Sequence, residues 1–104
     1  MIKEIRKSIG RVKKMEKILD RLNMLTSLAE SSLDSGKNIK KLQAYQSKVA
    51  ELEKYYSTPE WKKDFDLDEQ GAFPSTLKRG VLSEDGIYDA LEINREIMEK
   101  LNEK

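Results

Sequence analysis

Apolar residues recur every three or four positions along the first third of the chain. They fall at Ile2, Ile5, Ile9, Val12, Met15, Leu19, Leu22, Leu25, Ala29 and Leu33. Steps of three and four keep side chains on one face of an α-helix, which has 3.6 residues per turn. The pattern therefore predicts a long N-terminal helix, helix 1, over about residues 2–34.

A second helical period runs from Ile39 to Tyr56 and predicts helix 2 over about residues 37–56. Pro59 ends it, because proline lacks a backbone N–H and disfavours a helical conformation in the residue before it. Thr58 and Pro59 also suit the N-cap and first position of a new helix. We therefore expect a short helix over about residues 59–69, ending near Gly71.

The last helix is predicted over about residues 84–102. Ser83 is a suitable N-cap, and Glu84 and Asp85 place negative charge in the first turn, where the helix dipole favours it. We find no alternating pattern typical of a strand. The predicted fold is a single all-α domain over residues 1–104, an antiparallel helical bundle of three long helices plus one short helix.

Helix 1 is predicted to exceed helix 2 and helix 4 by about ten residues. Its N-terminal third would then project beyond the bundle, with the apolar residues Ile2, Ile5, Ile9 and Val12 uncovered. Exposed apolar stripes commonly bind another protein surface, often a second copy. We therefore expect a homodimer that forms through these four residues.

The composition excludes several kinds of site. The 104 residues include no cysteine and no histidine, which rules out disulfides, thiolate metal sites, a cysteine nucleophile and the commonest general base. No apolar run exceeds three residues, so we expect no membrane span and no signal peptide. A cytoplasmic protein is the expectation that follows.

Charge is divided unevenly between the two halves of the chain. Residues 1–56 hold thirteen basic and seven acidic residues, whereas residues 57–104 hold seven and twelve. Basic helices could pack beside acidic ones within one molecule or between copies, or helix 1 could bind nucleic acid or anionic lipid. The cations of helix 1 are Lys3, Arg6, Lys7, Arg11, Lys13, Lys14, Lys17 and Arg21.

The segment from Tyr55 to Asp89 carries three short motifs. They are Glu60-Trp61-Lys62-Lys63-Asp64, Asp68-Glu69-Gln70-Gly71, and the thirteen residues Leu77-Lys-Arg-Gly-Val-Leu-Ser-Glu-Asp-Gly-Ile-Tyr-Asp89. With these motifs the chain resembles a family of small bacterial all-helical proteins classed as a domain of unknown function. The resemblance implies a helical fold but no reaction, cofactor or ligand.

Alternating carboxylates at Asp64, Asp66 and Asp68 are similar to the start of a calcium-binding loop. Such a loop needs glycine at its sixth position and glutamate at its twelfth, and here these positions hold Glu69 and Ser75. We therefore predict no metal site and no cofactor.

Lys78 and Arg79 precede the cap of the last helix, where free backbone N–H groups could hold a phosphate-type anion. The alternative is that Lys78 or Arg79 neutralises the carboxylates Asp64, Asp68 and Glu69. Trp61 and Phe65, four residues apart, form the large apolar pair that can hold the short helix. We expect Trp61 to be mostly buried near Tyr56 or Tyr88.

The sequence favours a non-enzymatic protein-interaction module. The alternative is a nucleic-acid-associated or regulatory accessory protein that uses the basic face of helix 1, and a third hypothesis is a small carboxylate-dependent enzyme. The candidate interaction surface comprises Trp61, Asp64, Asp68, Glu69, Lys78, Arg79, Glu84, Asp85 and Tyr88.

Overall fold

Helices joined by short turns and one longer loop make up the computed structural model, which describes residues 2–30 and 35–102. The helices are α1 (Ile2–Glu30), α2 (Ser35–Ala44), α3 (Gln46–Ser57), α4 (Pro59–Glu69) and α5 (Glu84–Asn102), and Gly80–Leu82 forms a 3-10 turn before α5. No strand occurs in these two described ranges. The all-α prediction is confirmed.

The core lies along α1, which contacts each of the other four helices. Its residues Val12, Leu22 and Leu25 are almost fully excluded from solvent. They belong to one apolar cluster with residues of α2, α3, α5 and the 3-10 turn, among them Leu42, Leu52, Ile87 and Val81. The predicted period of helix 1 therefore does mark the face that is buried.

Predicted helix 2 is in fact two helices, with a break at Tyr45. The backbone N–H of Tyr45 donates to the carbonyls of both Lys41 and Leu42 at 3.1 Å, and the side-chain amide of Gln46 donates to Leu42 O at 3.0 Å. In an uninterrupted helix that carbonyl would accept the backbone N–H of Gln46. The side chain of Gln46 thus occupies the acceptor that continuation of the helix requires.

The start of α2 also differs from the prediction. It begins at Ser35, so Gly36 is helical rather than part of a turn. The predicted end of helix 1, residues 31–34, lies outside the described residues. With the break at Tyr45, five α-helices replace the predicted four within the described part of the chain.

The N-terminal third of α1 does not project freely, because α4 lies beside it. Lys63 of α4 approaches Glu4 at 4.0 Å, and Arg11 binds Asp64 of α4. Val12 is fully buried, Ile5 and Ile9 pack partly buried against the core, and Ile2 remains 71% exposed. The expectation of four uncovered residues is therefore wrong for Val12, and self-association through this stripe remains a prediction.

Both ends of α4 follow the local sequence. Pro59 occupies the first turn after an extended Thr58, as predicted. At the other end Gly71 has φ +74°, its N–H donates to Asp68 O at 3.0 Å, and the N–H of Ala72 donates to Leu67 O at 3.0 Å. This pair of bonds is a Schellman motif, whose left-handed residue is usually glycine. It turns the chain into the loop that leads to the 3-10 turn.

Candidate functional site

Trp61 lies where α4 meets the 3-10 turn, and its ring is 8% exposed. Its indole N–H donates to Val81 O at 2.9 Å. Tyr56 meets the ring edge-on with centroids 5.1 Å apart, and Phe65 stacks on it at 5.3 Å. The predicted burial of Trp61 beside Tyr56 is confirmed. Phe73, Leu77, Val81 and Leu82 are also buried, so the segment forms a filled junction.

Asp64 is fully buried, and its carboxylate accepts hydrogen bonds from two side chains of the domain. Its carboxylate accepts two bonds from the guanidinium of Arg11, at 2.9 Å from Nε and 2.5 Å from Nη2, and a third from the Tyr55 hydroxyl at 2.8 Å. Arg11 Nη2 also donates to Ser8 Oγ at 3.0 Å. We call Ser8, Arg11, Tyr55 and Asp64 the buried network. Neutralisation of Asp64 by Lys78 or Arg79 was a wrong prediction, since Arg11 of α1 does this.

The buried network shifts the ionisation of its members. The hydrogen bond to Asp64 raises the pKa of Arg11 and keeps its guanidinium charged. Burial, and then the hydrogen bond to the Asp64 carboxylate, raise the pKa of Tyr55 well above its ordinary value. Both shifts favour the protonated form, a charged guanidinium at Arg11 and a neutral phenol at Tyr55.

We expect Tyr55 to make folding sensitive to alkali. Its folded pKa is raised, so in the unfolded chain Tyr55 loses its proton near pH 10 while in the folded chain it keeps it. The unfolded state then binds fewer protons, and stability falls above that pH by up to about 1.4 kcal/mol per pH unit. Urea unfolding between pH 8 and 11 should show a steeper loss for the wild type than for Tyr55→Phe. Equal slopes for the wild type and Tyr55→Phe would contradict this prediction. Tyr88→Phe, which changes an exposed tyrosine, is the control.

Arg79 holds the loop between α4 and the 3-10 turn. Its guanidinium forms an ion pair with Asp68, and it donates to Pro74 O at 2.6 Å and to Leu77 O at 3.3 Å. The predicted pairing of Arg79 with an acidic residue of α4 is thus confirmed for Asp68. Lys78 instead makes an exposed ion pair with Asp20 of α1 at 3.4 Å.

Arg79→Ala should destabilise the domain by about 1–2 kcal/mol, because it removes charge-assisted bonds to two loop carbonyls as well as an ion pair. Lys78→Ala should cost about 0–0.5 kcal/mol, since its pair with Asp20 is exposed. Chemical unfolding measures both values. Amide exchange of residues 70–79 should be faster in Arg79→Ala alone, and equal exchange in the two variants would contradict this role.

Glu16 is a second buried carboxylate that the sequence reasoning missed. It is 8% exposed and accepts the backbone N–H of Val81 at 2.8 Å. A Cβ on Gly80 would lie 3.1 Å from Glu16 Oε2, so glycine allows α1 to approach the 3-10 turn this closely. The signal in the sequence was the spacing of Glu16, which lies four residues after Val12 and three before Leu19 and so shares their buried face of α1.

The remaining members of the candidate surface are not buried in the junction. Glu69, Lys78, Glu84, Asp85 and Tyr88 are exposed, and Tyr88 retains 52% of its accessible surface. The set predicted as one surface therefore divides into buried residues (Trp61 and Asp64), a half-buried ion pair (Asp68 and Arg79) and these five exposed residues.

A groove of about 460 Å³ separates α3 from α5. Gln46 and Asn94 face each other across it through reciprocal amide bonds of 2.8 and 3.1 Å. Its other lining residues are Glu53, Tyr56, Tyr88, Leu91, Arg95 and Met98. Burial, and then the charges of Glu84, Tyr88 and Asp85, raise the pKa of the lining residue Tyr56.

The outward face of α1 is basic. Of the eight cations of helix 1, Arg11 binds Asp64 and Lys14 pairs with Glu51 at 3.4 Å. The six others are exposed and form no salt bridge with the described residues. They are Lys3, Arg6, Lys7, Lys13, Lys17 and Arg21. We call them the basic face.

Three further observations concern the described residues. Every buried side-chain nitrogen or oxygen among them has a hydrogen-bond partner. No group of three or more acidic side chains within residues 2–30 and 35–102 is arranged to hold a metal ion. None of the helices in those ranges is long and apolar enough to cross a membrane.

Comparison with known proteins finds a family model that matches most of the chain. The family model for a domain of unknown function, DUF4298, matches residues 12–103. No curated protein and no solved structure matches the chain.

Proposed function

This chain belongs to the DUF4298 family, and we propose that it is a non-enzymatic protein-interaction module that binds through the charged outer faces of α1 and α5. The observation that carries the proposal is the segregation of unpaired charge. The basic face on α1 has six cations without a salt bridge to the described residues. On α5 the exposed carboxylates Glu84, Asp85, Asp89, Glu96 and Glu99 likewise have none.

Internal pairing of the basic and acidic halves occurs at Arg11, which binds Asp64 and Glu60, but among the described residues it does not extend to α5. α1 and α5 contact each other, yet none of the salt bridges among the described residues joins them. Complementary charge that a domain leaves unused steers association with a partner and fixes its orientation. An acidic partner surface suits α1, and a basic one suits α5.

A small carboxylate-dependent enzyme is the weaker hypothesis. Of its candidate groups, Asp64 is fully buried within the buried network and Asp68 is paired with Arg79. A general acid or base must lie within hydrogen-bond reach of the substrate. Glu84 and Asp85 are accessible, but they lie in the first turn of α5. The favourable interaction of carboxylates with the helix dipole explains their presence there without a catalytic role.

A quantitative affinity purification tests the proposal. The tagged chain is compared with Lys13→Glu/Lys17→Glu/Arg21→Glu and with Lys37→Glu/Lys40→Glu/Lys41→Glu, a control on α2 with the same change in charge. Nuclease treatment precedes capture. We expect a protein, either the untagged chain or another, to be lost from the α1 variant and retained by the control. Identical protein sets in all three samples would overturn the proposal.

Nucleic-acid binding is the second candidate function, favoured by the length of the basic face. From Lys3 to Arg21 it covers about 27 Å of helix. If its six cations neutralised six phosphates of a duplex, the logarithm of the affinity would fall against the logarithm of the salt concentration with a slope of about −5. A fluorescence-anisotropy titration with a labelled duplex measures this slope. A slope near zero, or no binding at low salt, would exclude this candidate.

A further inference from the structure

We propose that a second copy of this chain is the partner, and that it inserts the outer stripe of its α1 into the groove between α3 and α5. The stripe consists of Lys17, Arg21, Met24 and Leu28. The contact is made twice in a two-fold dimer, once by each copy. This inference rests on the proposed function, since it names the partner of the charged outer faces.

Carboxylates outnumber cations around the groove, and apolar side chains line its interior. Its charged lining residues are Glu53 on α3 and Arg95 on α5, and Arg95 is paired with Glu92. Glu84 and Asp85 in the first turn of α5 add negative charge that acts on the lining residue Tyr56. Leu91 and Met98 line the interior. A helix that presented both cations and apolar side chains would match these features, because apolar contacts supply affinity and charges fix the register.

The outer stripe has that chemistry. Steps of four, three and four residues place Lys17, Arg21, Met24 and Leu28 on one side of α1. Met24 is 43% exposed and Leu28 is 40% exposed, and these are large apolar side chains that the domain itself leaves uncovered. Lys17 and Arg21 belong to the basic face and form no salt bridge with the described residues.

Tyr88 provides a contact point at the edge of the groove. It is 52% exposed, although it stands beside the buried Leu91 and the half-buried Tyr56. Tyrosine is one of the residue types enriched among those that dominate the energetics of interfaces. In the proposed dimer Tyr88 packs against the aliphatic part of the inserted stripe.

In a two-fold dimer each copy inserts its stripe into the groove of the partner and accepts the partner's stripe in its own groove. Every copy carries one stripe and one groove, so a reciprocal contact leaves neither unoccupied and closes the assembly at two copies. The arrangement differs from a dimer through Ile2, Ile5, Ile9 and Val12, because Ile5, Ile9 and Val12 pack against the core of their own domain.

Paired charge reversals test the proposal on the purified full chain. The stripe variant is Lys17→Glu/Arg21→Glu, and the groove variant is Glu53→Lys/Glu92→Lys. Lys40→Glu/Lys41→Glu on α2 is the control for the stripe variant, with the same change in charge on exposed residues. Thermal melts first establish that each variant is folded. Sedimentation velocity then gives the dimer dissociation constant of each sample and of an equimolar mixture of the stripe and groove variants.

We expect the wild type and the control to dimerise at tens of micromolar, and each reversal alone to raise the dissociation constant at least tenfold. The mixture should dimerise again, because in the heterodimer both contacts once more join opposite charges. Ile2→Glu should leave the dimer intact, whereas Tyr88→Ala should weaken it.

A wild type that stays monomeric, or a mixture of the two variants that stays monomeric, would overturn the proposal. If Ile2→Glu abolished dimerisation and the stripe variant did not, the proposal would be overturned in favour of a dimer through Ile2, Ile5, Ile9 and Val12. A different result refutes the proposed function, namely that affinity purification finds no protein whose capture depends on the basic face. A monomeric chain that still captures another protein in that experiment refutes only the second copy as partner.

Discussion

Replacing Asp64 by alanine is expected to lower the free energy of unfolding by about 3–5 kcal/mol, the range for breaking a buried ion pair from one side. The substitution removes the buried carboxylate that binds the mostly buried Arg11 guanidinium, and it leaves Arg11 with the exposed Glu60 at 3.3 Å as its acidic partner. It also removes the acceptor of the Tyr55 hydroxyl, and Tyr55 is 5% exposed. Urea unfolding followed by circular dichroism measures the effect.

Asp66→Ala is the matched control, two residues away on the same helix. Asp66 is exposed, and its salt bridge among the described residues is with Lys62, at 3.3 Å and four residues apart, so its loss should cost about 0.5 kcal/mol or less. Arg11→Ala should approach the cost of Asp64→Ala, and the double variant should cost far less than the sum. If Asp64→Ala were as mild as Asp66→Ala, the buried network would not stabilise the fold.

Replacing Trp61 by alanine is expected to cost about 3–5 kcal/mol, as is usual when a large buried aromatic side chain is removed. The ring fills the space between Tyr56, Phe65 and the 3-10 turn, and its N–H satisfies the carbonyl of Val81. Such a loss is a large share of the 5–15 kcal/mol that typically stabilises a domain. Thermal and urea unfolding measure it.

Two further variants separate the contributions of Trp61. Trp61→Phe keeps most of the apolar volume but loses the indole N–H, so it should cost roughly 1–3 kcal/mol. Tyr88→Ala removes an exposed ring and should change the stability of the monomer by about 0.5 kcal/mol or less. If Trp61→Ala and Tyr88→Ala lowered the free energy of unfolding equally, the packing of Trp61 would not stabilise the junction.

The helices that bury one face, and the residues at which they begin, were predictable from the sequence. The apolar period of α1, Pro59 at the start of α4 and Ser83 before α5 all indicated helices that the structure contains. The N–H of Gly86 donates to Ser83 Oγ at 3.2 Å, which is the cap that the sequence predicted. These features depend on residues close together in the chain, and periodicity and capping report on such neighbours.

The break at Tyr45 was not predictable in this way. The apolar spacing continues through it, and the feature that ends α2 is an amide of Gln46 bonded both to Leu42 O and to Asn94. Asn94 lies 48 residues further along the chain. An interaction between residues so far apart leaves no mark in the local pattern.

The same limitation explains the misassigned partner of Asp64. The sequence favoured Lys78 or Arg79 because they lie near in the chain, whereas Arg11 is 53 residues away. One local signal did exist. Ser8, Arg11, Met15 and Ile18 follow steps of three and four, which places Arg11 along the buried side of α1 rather than on its outer face.

Acrylamide quenching of Trp61 tests most directly whether residues 55–89 form a filled junction. Trp61 is the one tryptophan of the chain, so its fluorescence reports on that place alone. In the native protein the emission should be blue-shifted and quenching should be many-fold slower than in the urea-unfolded chain, because the ring is 8% exposed. Native quenching as fast as in the unfolded chain would contradict this structure and make the segment an open groove.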